Sequence, residues 1–130
     1  MTAYDHDLFD PPAPLARVNL RAIQTRKIIT DVPMLIDSGS DLTLIPEASI
    51  AELGANLGSD KRVELQGFDG RMTLARSVEL DLIFLGVTFR GRLAVVDSPV
   101  GVLERNVLNR FAILLDGPHL NWKELGRSTK

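Results

Sequence analysis

Apolar and polar residues alternate along much of this chain, which is the pattern of strands that bury one face. In the clearest run, Val78, Leu80, Leu82 and Phe84 occupy every second position. Residues typical of turns separate the shorter runs. The pattern predicts strands near residues 17–22, 28–29, 34–37, 42–45, 63–66, 71–74, 78–84, 87–89, 93–96 and 111–115. A β-rich domain is therefore expected.

Two segments have helical spacing instead. Residues 46–54 begin with proline and glutamate, carry apolar Ile50 and Leu53 three positions apart, and end in glycine. These are ordinary signals for the start, the buried face and the end of a helix. The apolar spacing within residues 103–108 indicates a second short helix. The expected fold class is all-β, mainly strands with two short helices.

One hairpin is marked by its turn. Asp69-Gly70 lies between two runs that resemble strands, and an Asp-Gly pair in that setting is a strong hairpin signal. The sequence therefore predicts a protruding hairpin near residues 66–71.

The two ends of the chain lack this patterning. Residues 1–16 are rich in acidic residues and proline, which restricts the backbone and has no amide donor, so extended or disordered chain is expected there. Residues 119–130 are weakly patterned. We expect an arm at residues 1–16, one domain at 17–118 and a tail at 119–130, since 130 residues suit a single domain.

Composition narrows the classes of partner. Apolar residues make up 45% of the chain and charged residues 25%, as in an ordinary globular domain. The net charge of −2 and the scattered basic residues leave no footprint for nucleic acid or an anionic membrane. Cysteine is absent, which excludes disulfides and thiolate chemistry. No apolar run approaches the ~20 residues that span a bilayer, and no signal peptide is evident, so a cytoplasmic location is expected.

The segment Met34–Asp41 carries the candidate chemistry. An apolar strand delivers Asp37 into a Ser-Gly turn, and this arrangement occurs once. Asp-Ser-Gly is also an ordinary turn sequence. Two such carboxylates facing each other cannot both ionise readily, so they share a proton and supply one acid and one base. A water between them is then the nucleophile for amide hydrolysis, and the second carboxylate must come from another chain.

Three further segments give this motif a context. Leu35–Asp41 resembles the active-site signature of retropepsin-like aspartic proteases, which is two apolar residues, Asp, Thr or Ser, Gly, and Ala or Ser. Val102–Leu108 resembles the start of that family's C-terminal helix, and Gly67–Gly70 lies where the family has its flap. Thr43–Pro46 resembles a run in short bacterial members. The chain is identified as a member over roughly residues 17–117.

The resemblance implies a closed or partly open β-barrel that acts as a homodimer on a peptide or protein substrate. It makes Asp37 the catalytic residue, one from each subunit. Ser38 is expected to bond to its counterpart across the two-fold axis, since a hydroxyl both donates and accepts. Gly39 lets substrate approach the backbone, and Ser40 completes the active-site loop.

The resemblance also assigns a charged pair and a flap. Asp41 and Arg105 form a structural pair or contact substrate, against the alternative of a surface salt bridge of small value. Four residues form the flap that closes over peptide, against the alternative of a plain surface hairpin: Gly67, Phe68, Asp69 and Gly70.

Other chemistries fit less well. A serine protease needs a histidine base, and the only histidines are His6 in the arm and His119 near the tail. A calcium site at Asp37, Ser40 and Asp41 lacks the spacing of a calcium loop. No metal and no cofactor are expected.

Glu104 departs from the family pattern, which has glycine before Arg-Asn. In the family that glycine packs close to the Asp-Ser/Thr-Gly loop, where a side chain has little room. Either the loop is displaced and Glu104 points into solvent, or activity is weakened, altered or lost. The predicted function is an aspartic endopeptidase. The alternative is a catalytically weak or inactive dimeric module that binds peptide or acts as a scaffold.

Overall fold

Strands dominate the computed structural model, which describes residues 1–54, 62–66, 70 and 72–126. The described strands are β1 (Thr2–Ala3), β2 (Leu15–Arg21), β3 (Ile28–Ile36), β4 (Leu44–Pro46), β5 (Arg62–Gln66), β6 (Met72–Phe84), β7 (Val87–Val96), β8 (Gly101–Leu103), β9 (Ile113–Asp116) and β10 (Asn121–Glu124). The helices are α1 (Glu47–Leu53) and α2 (Arg105–Leu108), with a 3-10 turn at Gly117–His119. This confirms the predicted fold of mainly strands with two short helices. None of the described helices is long and apolar enough to cross a membrane.

Seven strands form one sheet in the order β2-β3-β8-β4-β7-β6-β5. Strand β6 pairs antiparallel with β7 and also with β2, so the sheet closes on itself. The closed barrel that the resemblance implied is therefore confirmed. Strand β8 is parallel to β3 and antiparallel to β4, which places it between two strands that are consecutive in sequence.

The hydrophobic core follows the alternation seen in the sequence. Four residues of β6 are at most 3% exposed and belong to the core cluster: Val78, Leu80, Leu82 and Phe84. Trp122 of β10 joins them, with its ring centroid 6.2 Å from that of Phe84. Its indole Nε1 donates to the carbonyl oxygen of Leu15 at 3.1 Å, which satisfies the one polar group of a buried ring.

The chain ends form a second sheet, in the order β1-β10-β9. The N–H of Tyr4 donates to Leu120 O at 2.8 Å, and Asp5 and Ala13 exchange backbone hydrogen bonds within the arm. Extended chain in the arm was expected, but a sheet that joins arm and tail was not. Local pattern missed it because β1 and β10 have only two and four residues and pair across the length of the chain. The domain limits at residues 16 and 118 stay a prediction.

A buried carboxylate lies where the barrel closes. Asp81 of β6 is opposite Arg21 of β2 and Arg90 of β7, and it is fully buried. Arg21 donates to Asp81 Oδ2 through Nε at 3.0 Å and Nη2 at 2.9 Å. Arg90 donates to Oδ1 through Nε at 2.8 Å and to Oδ2 through Nη2 at 3.2 Å. The hydrogen bonds from Arg90 and then Arg21 outweigh the effect of burial and lower the pKa of Asp81 to about 2.

Gly101 allows β8 to lie between its neighbours. A Cβ at this position would lie 2.3 Å from Leu44 O and 2.4 Å from Met34 Sδ. Contacts that short force the backbone or the packed side chain to move. Glycine is therefore a steric requirement of the β3-β8-β4 arrangement.

We predict that Asp81→Asn lowers the free energy of unfolding by about 2–3 kcal/mol at pH 7, because two arginines lose a charged partner. The folded carboxyl has a pKa of about 2, against 3.8 ordinarily. The contribution of Asp81 to the free energy of unfolding is therefore fully present at pH values above 3.8, and it is lost as the pH falls toward 2. Urea unfolding should show a large difference in the free energy of unfolding between wild type and variant at pH 7, and this difference should shrink near pH 2.

Glu79→Gln on the same strand is the control for Asp81→Asn, since Glu79 is exposed. A difference that does not change with pH would contradict this account.

We predict that Gly101→Ala destabilises the fold by about 1–3 kcal/mol, because the added methyl overlaps Leu44 O. Gly91→Ala in β7 is the matched control, since a Cβ there would meet nothing within 4 Å. Thermal unfolding of the two variants side by side measures the effect. Equal melting temperatures would show that the strand crossing tolerates a side chain.

Candidate active site

Asp37 follows directly on the end of β3 and begins a tight turn. Its N–H donates to Leu103 O at 3.2 Å, which continues the pairing of β3 with β8. Its carbonyl accepts from Ser40 N–H at 3.2 Å and closes the turn. Its carboxylate Oδ1 accepts from Gly39 N–H at 3.0 Å. The backbone of the loop thus orients a half-buried carboxylate.

The other residues of the loop differ in exposure. A Cβ at Gly39 would lie 3.2 Å from Asp37 Oδ1, so a side chain there would crowd the carboxylate. Ser38 is exposed at the turn, where another molecule can reach it. The hydroxyl of Ser40 donates to Leu42 O at 2.9 Å and accepts from Leu42 N–H at 3.4 Å. Ser40 therefore fixes the exit of the loop, while Ser38 faces outward.

The segment Leu103–Arg105 holds the loop at both ends. Leu103 O accepts from Asp37 N–H, and Arg105 N–H donates to Ser40 O at 3.0 Å. These two groups come from the end of β8 and the start of α2, which are separated by one residue. The structure thus brings together the two motifs that the sequence placed some 65 residues apart.

Glu104 lies between those two holding groups and is 6% exposed. Its Oε2 accepts from Asn106 N–H at 2.6 Å, so it is the N-cap of α2. Of the alternatives considered for this residue, the one in which it points into solvent is wrong. The sequence alone gave little indication that Glu104 caps α2, since glutamate is not among the preferred N-cap residues.

The predicted pair of Asp41 and Arg105 lies beside the loop. Both residues are exposed, and the structure contains no ion pair between these two described side chains. A backbone hydrogen bond links their segments, since Arg105 N–H donates to Ser40 O. The charged pair therefore stays a prediction.

The predicted flap falls mostly outside the described residues, which exclude Gly67, Phe68 and Asp69. Strand β5 pairs antiparallel with the first part of β6, with Gln66 opposite Met72. Gly70 has a φ of +80°, a conformation that glycine adopts easily. The strands on either side of the predicted hairpin are thus paired, and closure over a substrate stays a prediction.

A row of aliphatic side chains lies on the Asp37 face of the sheet. Leu35 of β3 is opposite Val102 of β8, and Val102 is opposite Leu44 of β4. Residues directly opposite each other share a face, and Asp37 follows Leu35 by two positions. All three aliphatic residues are half-buried, whereas neighbours on the other face, such as Met34, are in the core. Sequence reasoning missed this row because it arises from the register of non-adjacent segments.

A closed β-barrel with an Asp-Ser-Gly loop held by a short helix defines the class of retropepsin-like aspartic proteases. The model of the family described as aspartyl protease matches residues 29–114, more than half of the chain, and the chain belongs to that family. EIAV protease complexed with the inhibitor HBY-793 has a similar structure, with a TM-score of 0.56 and 21% sequence identity. The match covers 75% of this chain and 86% of that one, and it confirms the retropepsin-like fold. No curated protein matches this chain.

Proposed function

We propose that this protein is an aspartic endopeptidase that cleaves peptide bonds with a water held between the Asp37 carboxylates of two copies. The observation that carries the proposal is the orientation of Asp37. In a member of the aspartyl protease family, its carboxylate accepts from Gly39 N–H, and its loop is tied at both ends to Leu103–Arg105. A carboxylate oriented in this way is suited to acid–base chemistry.

The reaction needs one charged and one protonated carboxyl. Two carboxylates in close contact cannot both ionise readily, so the pair holds one proton between them. The ionised Asp37 takes a proton from water as the water oxygen bonds to the peptide carbonyl carbon, and the protonated Asp37 gives its proton to the carbonyl oxygen. The Asp37 that took the water's proton then gives it to the amide nitrogen as the C–N bond breaks, and a hydroxyl of the tetrahedral diol returns its proton to the other Asp37 as the carbonyl of the acid re-forms. Acid and amine products leave, and the dyad again holds one proton.

The exposed edge of β9 supports the homodimer. Strand β9 pairs with β10 along one edge, and no described strand pairs with its other edge. Leu114 and Leu115 are 43% and 51% exposed, although consecutive residues point to opposite faces. An apolar edge strand of this kind readily pairs with another strand. A second copy related by a two-fold axis presents the same edge antiparallel to the first, so the contact is self-complementary.

The aliphatic row supports a peptide substrate with an apolar side chain next to the scissile bond. Leu35, Val102 and Leu44 are in register beside Asp37 and are only half-buried. An apolar side chain placed on them removes further apolar surface from water. Nucleic acid and membrane partners are not proposed, and the cytoplasmic location expected from the sequence stays a prediction.

A second candidate function is a dimeric module that binds peptide or acts as a scaffold with little or no turnover. The observation that favours it is Glu104, a buried carboxylate beside the Asp37 loop where the family pattern has glycine. This candidate keeps the barrel, the aliphatic row and the dimer. It differs only in what happens to the bound peptide.

We predict that wild type cleaves a mixed peptide library at acidic pH and that Asp37→Asn lowers the rate by about 10²–10⁴-fold or more, because an amide cannot act as the base. Mass spectrometry of the library measures cleavage. Asp97→Asn, which alters an exposed aspartate outside the loop, is the control. If wild type cleaves no better than Asp37→Asn, the protease proposal fails, and retained binding of the same peptides would leave the non-catalytic module.

We predict that Leu115→Lys weakens dimerisation about a hundredfold, because a lysine ammonium loses its hydration when strand edges meet. Sedimentation measures the mass across a range of concentrations, and cleavage should fall with the dimer fraction. Leu8→Lys is the control, since Leu8 is an exposed leucine of the arm. A wild type that is monomeric at working concentrations contradicts the dimer, and a variant that dimerises normally shows that another surface is used.

A further inference from the structure

Glu104 is a buried charged residue that the proposed chemistry does not use. It is 6% exposed, and burial of a carboxylate is costly unless hydrogen bonds compensate. Asn106 N–H supplies one at 2.6 Å, and the Glu104 carbonyl accepts from Val107 N–H at 3.1 Å and Leu108 N–H at 3.0 Å. Side chain and backbone of Glu104 are thus both tied to the first turn of α2.

Helix α2 is itself anchored in the core. Val107 and Leu108 are 4% and 8% exposed and belong to the core cluster. A residue that is tied to the first turn of this helix therefore has a fixed position relative to the barrel. The helix has only four residues, so its cap contributes a large share of its end contacts.

The two peptide groups that flank Glu104 are the ones that hold the Asp37 loop. Leu103 O belongs to the peptide before Glu104 and accepts from Asp37 N–H, while Arg105 N–H belongs to the peptide after it and donates to Ser40 O. Rotation about φ and ψ of Glu104, which are −98° and 177°, sets the angle between these two peptide planes. A change in either dihedral breaks the alignment of at least one of the two bonds.

We infer that Glu104 is a positioning residue for the Asp37 loop. By capping α2 with its side chain, it fixes its own backbone dihedrals and so aligns the two peptide groups that hold residues 37–40. A glycine at this position has more backbone freedom and no side chain to cap α2. The packing of neighbouring residues alone would then have to align the two peptide groups. The effect of Glu104 on cleavage rests on the proposed function, whereas its effect on the loop does not.

The test compares Glu104→Ala, which removes the cap, with Glu104→Gln, which keeps an acceptor oxygen for Asn106 N–H. The readout is hydrogen exchange of the Asp37 and Arg105 amides, which donate the two holding bonds. We expect exchange to become about tenfold faster in the alanine variant and to stay within about twofold of wild type in the glutamine variant. Glu52→Ala, an exposed glutamate of α1, is the control and should change neither amide.

Kinetics then separate positioning from general stability. With a cleaved peptide, Glu104→Ala should lower kcat about tenfold with KM within about twofold, and Glu104→Gln should restore kcat at unchanged dimer mass. Glu104→Gly provides a second decapped variant and should behave like alanine in the exchange measurement. If both decapped variants keep the wild-type exchange rates, the inference is wrong. If wild type cleaves no peptide, the proposed function fails, and the exchange rates still decide whether Glu104 positions the loop.

Discussion

Two backbone hydrogen bonds fix the position of the Asp37 loop: Asp37 N–H donates to Leu103 O, and Arg105 N–H donates to Ser40 O. They require β8 to run between β3 and β4, and that path exists because Gly101 has no side chain to collide with Leu44 O. The absence of a side chain at Gly101 therefore determines where the Asp37 carboxylate lies. The barrel supplies the position of the loop, and the loop supplies only the final orientation of Asp37.

The barrel also contains a buried ionic cluster around Asp81, where β6 pairs with β2. This cluster and the proposed pair of Asp37 carboxylates are both suited to acidic conditions. Asp81 joins β2, β6 and β7 through Arg21 and Arg90, and these contacts lower its pKa to about 2. A pair of carboxylates that shares one proton works in acid, where ordinary carboxylates begin to protonate and salt bridges weaken. Because these contacts hold the pKa of Asp81 below the ordinary carboxyl range, Asp81 stays ionised under mildly acidic conditions in which an ordinary carboxyl begins to take up a proton.

The local sequence pattern predicted those structural features that depend on residues close together in the chain. The alternation from Val78 to Phe84 predicted the buried face of β6, and the glycine after α1 adopts the left-handed C-cap, with Gly54 at a φ of 68°. It did not predict features that arise where distant segments meet. The β1-β10 pairing joins the two ends of the chain, and the row beside Asp37 exists only through the register of β3, β8 and β4. The solvent-exposed alternative for Glu104 was wrong for the same reason, since its burial depends on where α2 packs.

The hydrogen bonds described for the Asp37 loop lie within one chain, so the fold by itself orients the carboxylate. The hydrogen bonds to Leu103 and Arg105, the cap by Glu104 and the contact with Gly39 N–H need no partner. In the proposed dimer, each copy contributes one Asp37 carboxylate and one β9 edge to the assembly. Because these hydrogen bonds already order the loop within one chain, the proposed association does not also have to order it, and less of the binding energy is lost to conformational entropy.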